Sequence, residues 1–144
     1  MIEQDTIRLL RECDAGVKMG VSSIGEVLGS IEDKALRETL ARSKQEHEKL
    51  QSSIQAALDR FGDDGKSPNP IASVMSTVKT NMELMMKPTD ATIASLMTDG
   101  CNMGVKSLSK YLNEYAAADE SAKDVCKKLI ALEEQLCKNM QGYL

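Results

Sequence analysis

The stretch Gly-Val-Lys-Met-Gly-Val-Ser-Ser-Ile at residues 16–24 decides the fold, because it returns in altered form at residues 100–108 as Gly-Cys-Asn-Met-Gly-Val-Lys-Ser-Leu. Gly, Met, Gly, Val and Ser recur at a constant offset of 84 residues. Extending this offset outward gives two stripes with spacings of three and four residues. The first stripe is Leu9, Cys13, Gly16, Gly20, Ile24, Val27 and Ile31, and the second is Ile93, Met97, Gly100, Gly104, Leu108, Tyr111 and Tyr115. Such spacing marks a helix face, so the pattern predicts a duplicated helical unit.

The composition favours a helical core and excludes several classes of protein. The 144 residues contain no Trp, one Phe and three Tyr but nine Met, which suits helix packing better than a β-sandwich. The length fits a single domain spanning 1–144. A net charge of −4 with mixed signs and few aromatic side chains predicts no nucleic-acid partner. No apolar run approaches the roughly 20 residues that cross a bilayer, and the first residues do not resemble a signal peptide, so we expect a cytoplasmic protein without a membrane partner.

Apolar spacing and turn residues predict five helices. Their ranges are 3–31, 34–61, 71–86, 91–117 and 120–142. The turn before Asp33 is too short for anything but an antiparallel hairpin, and Asp33 and Asp119 are the expected N-caps of the second and fifth helices. Thr89 or Asp90 is the expected N-cap of the fourth. The Gly- and Pro-rich stretch 62–70 ends the second helix.

Two of these helices carry a regular seam with a polar residue in it. The seam of the second helix is Leu36, Leu40, Ser43, His47, Leu50, Ile54, Ala57 and Phe61, and the matching seam of the last helix is Ala122, Cys126, Leu129, Glu133, Leu136 and Met140. Both seams are typical of packed helical bundles.

The segment 71–86 is Met-rich and amphipathic, with Val74, Val78, Met82 and Met85 on one face. We interpret it as a short extra helix in a long crossover, packed on the bundle. The Met residues of this region fit the apolar face of such a helix. They also fit an adaptable partner surface or soft ligands for copper(I). A surplus of Met beyond one face would indicate a dimer interface, and we expect a homo-oligomer formed through this segment.

Two repeated hairpins joined by a long crossover resemble the ferritin-like superfamily, most closely a bacterial branch known only as a domain of unknown function. The resemblance spans about residues 3–142 and rests on layout and repeat. It implies an all-α, ferritin-like four-helix bundle. Di-iron members of the superfamily use one Glu from each of two helices and a Glu-x-x-His motif from each of the other two.

Most of those ligands are missing here. The second helix has Lys44-x-x-His47, with Lys in place of Glu, and the last helix retains Glu133. The other two helices present glycines where carboxylates are expected, namely Gly16, Gly20, Gly100 and Gly104. We therefore expect no di-iron site, no ferroxidase activity, no catalytic residue and no bound cofactor.

His47, the only histidine, has two interpretations: a hydrogen-bonded core residue, or a remnant metal ligand together with Glu133. One hypothesis places His47 and Glu133 in a central polar layer, in contact directly or through water, over the glycines. The competing hypothesis turns the last helix so that Leu132 points inward and Glu133 lies at the solvent edge.

The four glycines are interpreted as steric devices, which let helices pack closely or make room for His47 and the side chain facing it. Their alternative role is to line a small internal cavity that binds a ligand. The four cysteines, at positions 13, 101, 126 and 137, lie within helical patterns and are expected to be reduced and buried. A disulfide framework is the lesser alternative.

These observations favour a non-catalytic structural or interaction module. The alternative, from another class, is a metal-binding or redox protein with a degenerate site at His47 and Glu133, joined by Cys126 or Cys137. A third possibility is a small-molecule binder that uses the glycine-lined interior.

Overall fold

The computed structural model describes residues 2–66 and 88–144. Within these two ranges all regular structure is helical, which confirms the all-α prediction for this part of the chain. The helices are α1 (Ile2–Leu28), α2 (Lys34–Asp59), α3 (Asp90–Glu114) and α4 (Glu120–Met140), and a single 3₁₀ turn (Gln141–Tyr143) follows α4. None of the described helices is long and apolar enough to cross a membrane. The helix predicted over 71–86 and its Met cluster lie outside the described residues.

Side-chain caps begin three of the helices where the sequence predicts them. Asp33 Oδ1 accepts a hydrogen bond from the Leu36 amide at 2.8 Å, and Asp119 Oδ1 accepts one from the Ala122 amide at 2.9 Å. At the start of α3 the cap is Thr89, whose hydroxyl accepts from the Thr92 amide at 3.1 Å. Each cap satisfies an amide that has no partner inside its helix.

The predicted helix ends overrun the observed ends by two or three residues. The end of α2 shows the reason: Gly62 has a φ of 65°, and the amides of Gly62 and Asp63 donate to carbonyls of the last helical turn at 3.1 Å. A glycine in the left-handed region ends a helix in this way. Phe61, predicted on the seam, is therefore 38% exposed, and Leu58 takes the buried position instead.

The four helices pack against one another around two apolar clusters. Contacts are most extensive between α1 and α2 and between α3 and α4, and α1 also packs against α3 and α4. One cluster contains Leu9, Leu10, Cys13, Val17, Ile54, Leu58, Leu108, Ala118, Ala122, Cys126 and Leu129. The other contains Ile24, Val27, Ile31, Leu36, Leu40, Ile93, Ala94, Met97, Cys101, Leu136 and Met140. The buried residues of α4 are the six seam positions predicted from the sequence.

Hydrogen bonds tie each interhelical turn to the start of a helix from the other half of the chain. The Asp90 carboxylate accepts from the amides of Glu32 and Asp33, at 3.0 and 2.9 Å. The Thr6 hydroxyl accepts from the Asp119 amide at 2.9 Å. Asp5, the neighbour of Thr6, accepts from the Ala117 amide at 3.2 Å. The first turn is thus fixed by the start of α3, and the second by the start of α1.

The loop after α2 is held against α1 by Asp14, a fully buried residue. The Asp14 carboxylate accepts from the Lys66 amide at 3.0 Å and pairs with Lys18 at 2.7 Å. Gly65 has a φ of 87°, and a Cβ atom on it would overlap that carboxylate. Two constraints, backbone conformation and close approach, therefore require glycine at position 65.

We predict that Gly65→Ala destabilises the protein by about 2–4 kcal/mol, because it adds steric overlap with Asp14 to the strain of a left-handed alanine. Gly62→Ala is the matched control. Gly62 also has a positive φ, but no described atom lies within 4 Å of its Cβ position, so we expect a loss of only about 1–2 kcal/mol. Urea unfolding followed by circular dichroism measures both values. Equal losses in the two variants would contradict the close contact with Asp14.

Candidate functional site

A buried histidine–glutamate pair lies between the two apolar clusters. His47 Nε2 is 2.7 Å from Glu133 Oε1, and the two side chains are joined directly. His47 is fully buried and Glu133 is 8% exposed. The predicted polar layer is therefore confirmed, and the competing arrangement, with Leu132 inside and Glu133 at the solvent edge, is wrong.

The second ring nitrogen of His47 fixes its protonation. Nδ1 lies 2.7 Å from the backbone oxygen of Ser43, one turn earlier on α2. A carbonyl oxygen only accepts hydrogen bonds, so Nδ1 carries a hydrogen and donates it. Nε2 is then left to interact with Glu133, and both ring nitrogens of His47 are occupied by protein oxygens.

Glycines on α1 and α3 provide the space for this pair. A Cβ atom on Gly20 would lie 2.7 Å from His47 Cδ2, and one on Gly104 would lie 3.4 Å from Glu133 Oε2. Alanine at position 20 thus has no room unless the imidazole moves. Gly20 thus leaves room for the His47 ring, as the steric interpretation expects, whereas a methyl group at position 104 would make a close but tolerable contact with Glu133.

Gly16 and Gly100 are not explained by the pair. A Cβ atom on Gly16 would make only ordinary contacts, at 3.7 Å from Leu108 and Leu129, and none of the described atoms lies within 4 Å of the Cβ position of Gly100. Both glycines line a groove between α1 and α3, with a cavity of about 180 Å³. His47 and Glu133 lie in the wall of this groove, and most of the remaining lining is apolar.

The electrostatics of the pair favour a charged histidine. Burial by itself lowers the pKa of His47, but the hydrogen bond and negative charge of Glu133 outweigh burial and raise that pKa above its ordinary value. The Ser43 carbonyl acts in the same direction. The bond to Glu133 therefore favours the protonated imidazole relative to a free histidine.

The cysteines form two pairs of neighbours, and all four are free thiols. Cys13 and Cys126 interact with each other, which raises the pKa of Cys13 and lowers that of Cys126. Cys101 lies beside both Glu133 and Cys137, and its pKa is raised, chiefly by burial. Cys137 Sγ is 3.3 Å from the side-chain oxygen of Asn102, which places it against α3.

The structure thus separates the cysteines proposed as extra ligands. Cys137 approaches the polar pair through Cys101, whereas Cys126 belongs to the other apolar cluster. Among residues 2–66 and 88–144, no three His, Cys, Asp or Glu side chains come together in a way that could hold a metal ion. Lys44, where the di-iron motif has Glu, pairs at 3.9 Å with Glu48 on its own helix.

One polar network was missed in the sequence. Asp14 is adjacent to the apolar stripe but is fully buried, and its Oδ1 has no hydrogen-bond partner among the described residues. Beside it, Lys66 pairs with Glu12, and Arg11 pairs with Asp63 at 2.8 Å. The one available signal was the polar turn that contains Asp63 and Lys66, which we interpreted only as the end of a helix.

Comparisons with the profiles of known protein families, with curated proteins and with solved structures find no match to this chain.

We predict that Gly20→Ala destabilises the protein by about 1–3 kcal/mol, because the new methyl group overlaps the His47 ring in a packed interior. Gly25→Ala is the control on the same helix. Its Cβ would meet only the flexible end of Lys44 at 3.6 Å, so helix propensity should raise stability by about 0.5–1 kcal/mol. Thermal and urea unfolding of both variants test this. A Gly20→Ala variant as stable as Gly25→Ala would show that the ring moves freely.

We also predict that the free energy of unfolding falls as pH rises above neutrality. The raised pKa of His47 stabilises the folded protein. This stabilisation is fully present below the pKa of histidine in the unfolded chain, about 6.5, and is lost as pH rises through the pKa in the folded protein. In Glu133→Gln the carboxylate is absent, so the decline in the free energy of unfolding above about pH 6.5 should be smaller. The four cysteines are present in both proteins, so their contribution to the pH profile is common to the two. Parallel profiles for wild type and variant would rule out an ion pair.

Proposed function

We propose that this chain is a non-catalytic, ferritin-like helical bundle that acts as a structural or interaction module. The observation that carries the proposal is that His47 and Glu133 are joined to each other at 2.7 Å, while the other ring nitrogen of His47 is held by Ser43. The polar groups at the centre are therefore used to hold helices together. Neither nitrogen of the one histidine is directed at a vacant ligand position.

Contacts along the helices support the ferritin-like arrangement. On α1 and α2, Gly20 faces His47 and Gly25 faces Lys44, so residue numbers fall on one helix as they rise on the other. The start of α3 is bonded to the turn at the end of α1, and the start of α1 to the turn at the end of α3. These directions correspond to an up-down-down-up order, which needs a long crossover between α2 and α3.

The internal repeat also has support from these bonds. Thr6 and Asp90, which hold the two turns, are separated by the same 84 residues as Gly20 and Gly104. His47 and Glu133, the equivalent positions of the second and last helices, meet at the centre. Equivalent residues that meet are expected at the axis of a pseudo-two-fold arrangement.

One observation favours the alternative, a metal-binding or redox protein: Cys101 lies beside Glu133, and Cys137 lies beside Cys101. Two sulfur ligands are thus close to the polar pair. The raised pKa values of both thiols disfavour the thiolate form that metals bind. The geometry therefore gives this alternative less support.

Metal content distinguishes the two functions. We expect less than about 0.1 equivalent of iron, zinc or copper in the purified wild-type protein, and a melting temperature that changes by less than about 1 °C with iron(II), zinc(II) or EDTA. A metal present at 100 times its Kd would instead add about 2.7 kcal/mol to the free energy of unfolding. His47→Gln is the matched variant, because its amide can still donate to Glu133. Near-stoichiometric metal that is lost in His47→Gln would overturn the structural function and establish the metal-binding one.

A further inference from the structure

The groove between α1 and α3 has a mostly apolar lining that the polar pair does not account for. Met103, in its lining, is 43% exposed, although large apolar side chains in the described core are mostly buried. Gly16 and Gly100 also line it and have no described neighbour that requires glycine. A glycine inside a helix costs about 1 kcal/mol relative to alanine, and the close approach of another element is the usual reason for it.

The chain leaves the described core at one end of this groove. Lys66 is fixed there by its backbone bond to Asp14 and by its ion pair with Glu12. Glu12 and Tyr111 both line that end of the groove. Residue 67 therefore starts within the length of one lysine side chain of the groove.

The chain returns at the opposite end. Asp90, the first residue of α3, is bonded to the amides of Glu32 and Asp33 beyond the end of α1. Ile24 and Leu96 line the groove nearest to that point. The two fixed points of the crossover thus lie at the two ends of one groove.

We propose that residues 67–87 of the same chain dock in the groove between α1 and α3. From Tyr111 to Asp90 the axis of α3 is about 31 Å long at about 1.5 Å per residue. A helix over 71–86, as the sequence predicts, would cover about 24 Å of this distance. The few residues on either side, at about 3.3 Å each, would span the remainder. The predicted stripe of Val74, Val78, Met82 and Met85 gives the groove an apolar occupant of matching length.

This docking turns the Met-rich face toward the bundle and leaves less of it for self-association. The inference does not rest on the proposed function, since a metal-binding bundle would need the same cover. The other possible occupants are a second copy of the chain, which would use the same face, and an apolar small molecule. The experiment below separates all three.

Methionine oxidation of the full-length wild-type chain tests the proposal directly. Hydrogen peroxide converts an accessible Met to its sulfoxide, and mass spectrometry of peptides gives the rate at each position. We expect Met103 to be oxidised at least about tenfold more slowly in the native protein than in urea, since the docked segment covers it. A native rate within about threefold of the rate in urea would show an open groove and overturn the proposal.

A pair of charged variants identifies the occupant. Val78→Asp with Met82→Asp places two carboxylates on the predicted stripe, and Ser76→Asp with Thr80→Asp places the same charge on the opposite face. We expect Met103 oxidation to rise at least about fivefold in the stripe variant and to stay at the wild-type rate in the control. Equal rates in the two variants would overturn the proposal.

Two further measurements are made on the wild-type protein alone, so they do not depend on the folding of a variant. Sedimentation velocity across a wide range of concentration should give a monomer whose Met103 protection does not change with concentration. Protection that grows with dimer formation would assign the groove to a second copy. Native mass spectrometry should give the mass of the chain alone. A retained apolar compound whose removal also removes the protection of Met103 would assign the groove to a ligand. Either result contradicts docking of residues 67–87.

Discussion

The structure depends on one interaction, the bond between His47 and Glu133 in the middle of a largely apolar interior. Removing an ionisable group from water is costly unless a partner of opposite charge and good geometry replaces the solvent. Here each side chain is that partner for the other, and Ser43 takes the second ring nitrogen. Gly20 then becomes necessary, because a Cβ atom there would overlap the His47 ring, whereas a Cβ atom on Gly104 would lie 3.4 Å from the Glu133 carboxylate.

All four helices contribute to the layer around this pair: α1 and α3 supply glycines, and α2 and α4 supply the polar groups. Sliding α2 or α4 by one turn would separate His47 from Glu133 and leave each buried polar group without its partner. A buried polar pair is therefore a device for register more than for stability, because an apolar pair of similar volume could be as stable. The apolar clusters on either side contain no comparable constraint on axial position.

The sequence predicted this layer as one of two hypotheses, because periodic spacing places Glu133 on the seam of α4 but defines the rotation of that helix only within about one residue. Features that depend on backbone conformation or on contacts between distant residues were not accessible in this way. The end of α2 is set by the left-handed Gly62, and the burial of Asp14 is set by a loop folding back on α1. The pairing of Cys13 with Cys126 depends on helix rotation, which a stripe defines only within about one residue.

The four repeated glycines have two different physical causes, although the repeat presents them as equivalent. Gly20 is explained by the polar pair, because a Cβ atom there would overlap the His47 ring, whereas Cβ atoms at Gly16 and Gly100 would meet no described atom closer than 3.7 Å. An unexplained glycine in a helix is unfavourable, so an element close to these two positions is the simplest physical reason for them. The crossover begins and ends beside the same groove, at Lys66 and Asp90. The glycine-bearing faces of α1 and α3 thus contact the polar pair and line the groove at once, because His47 and Glu133 lie in the wall of that groove.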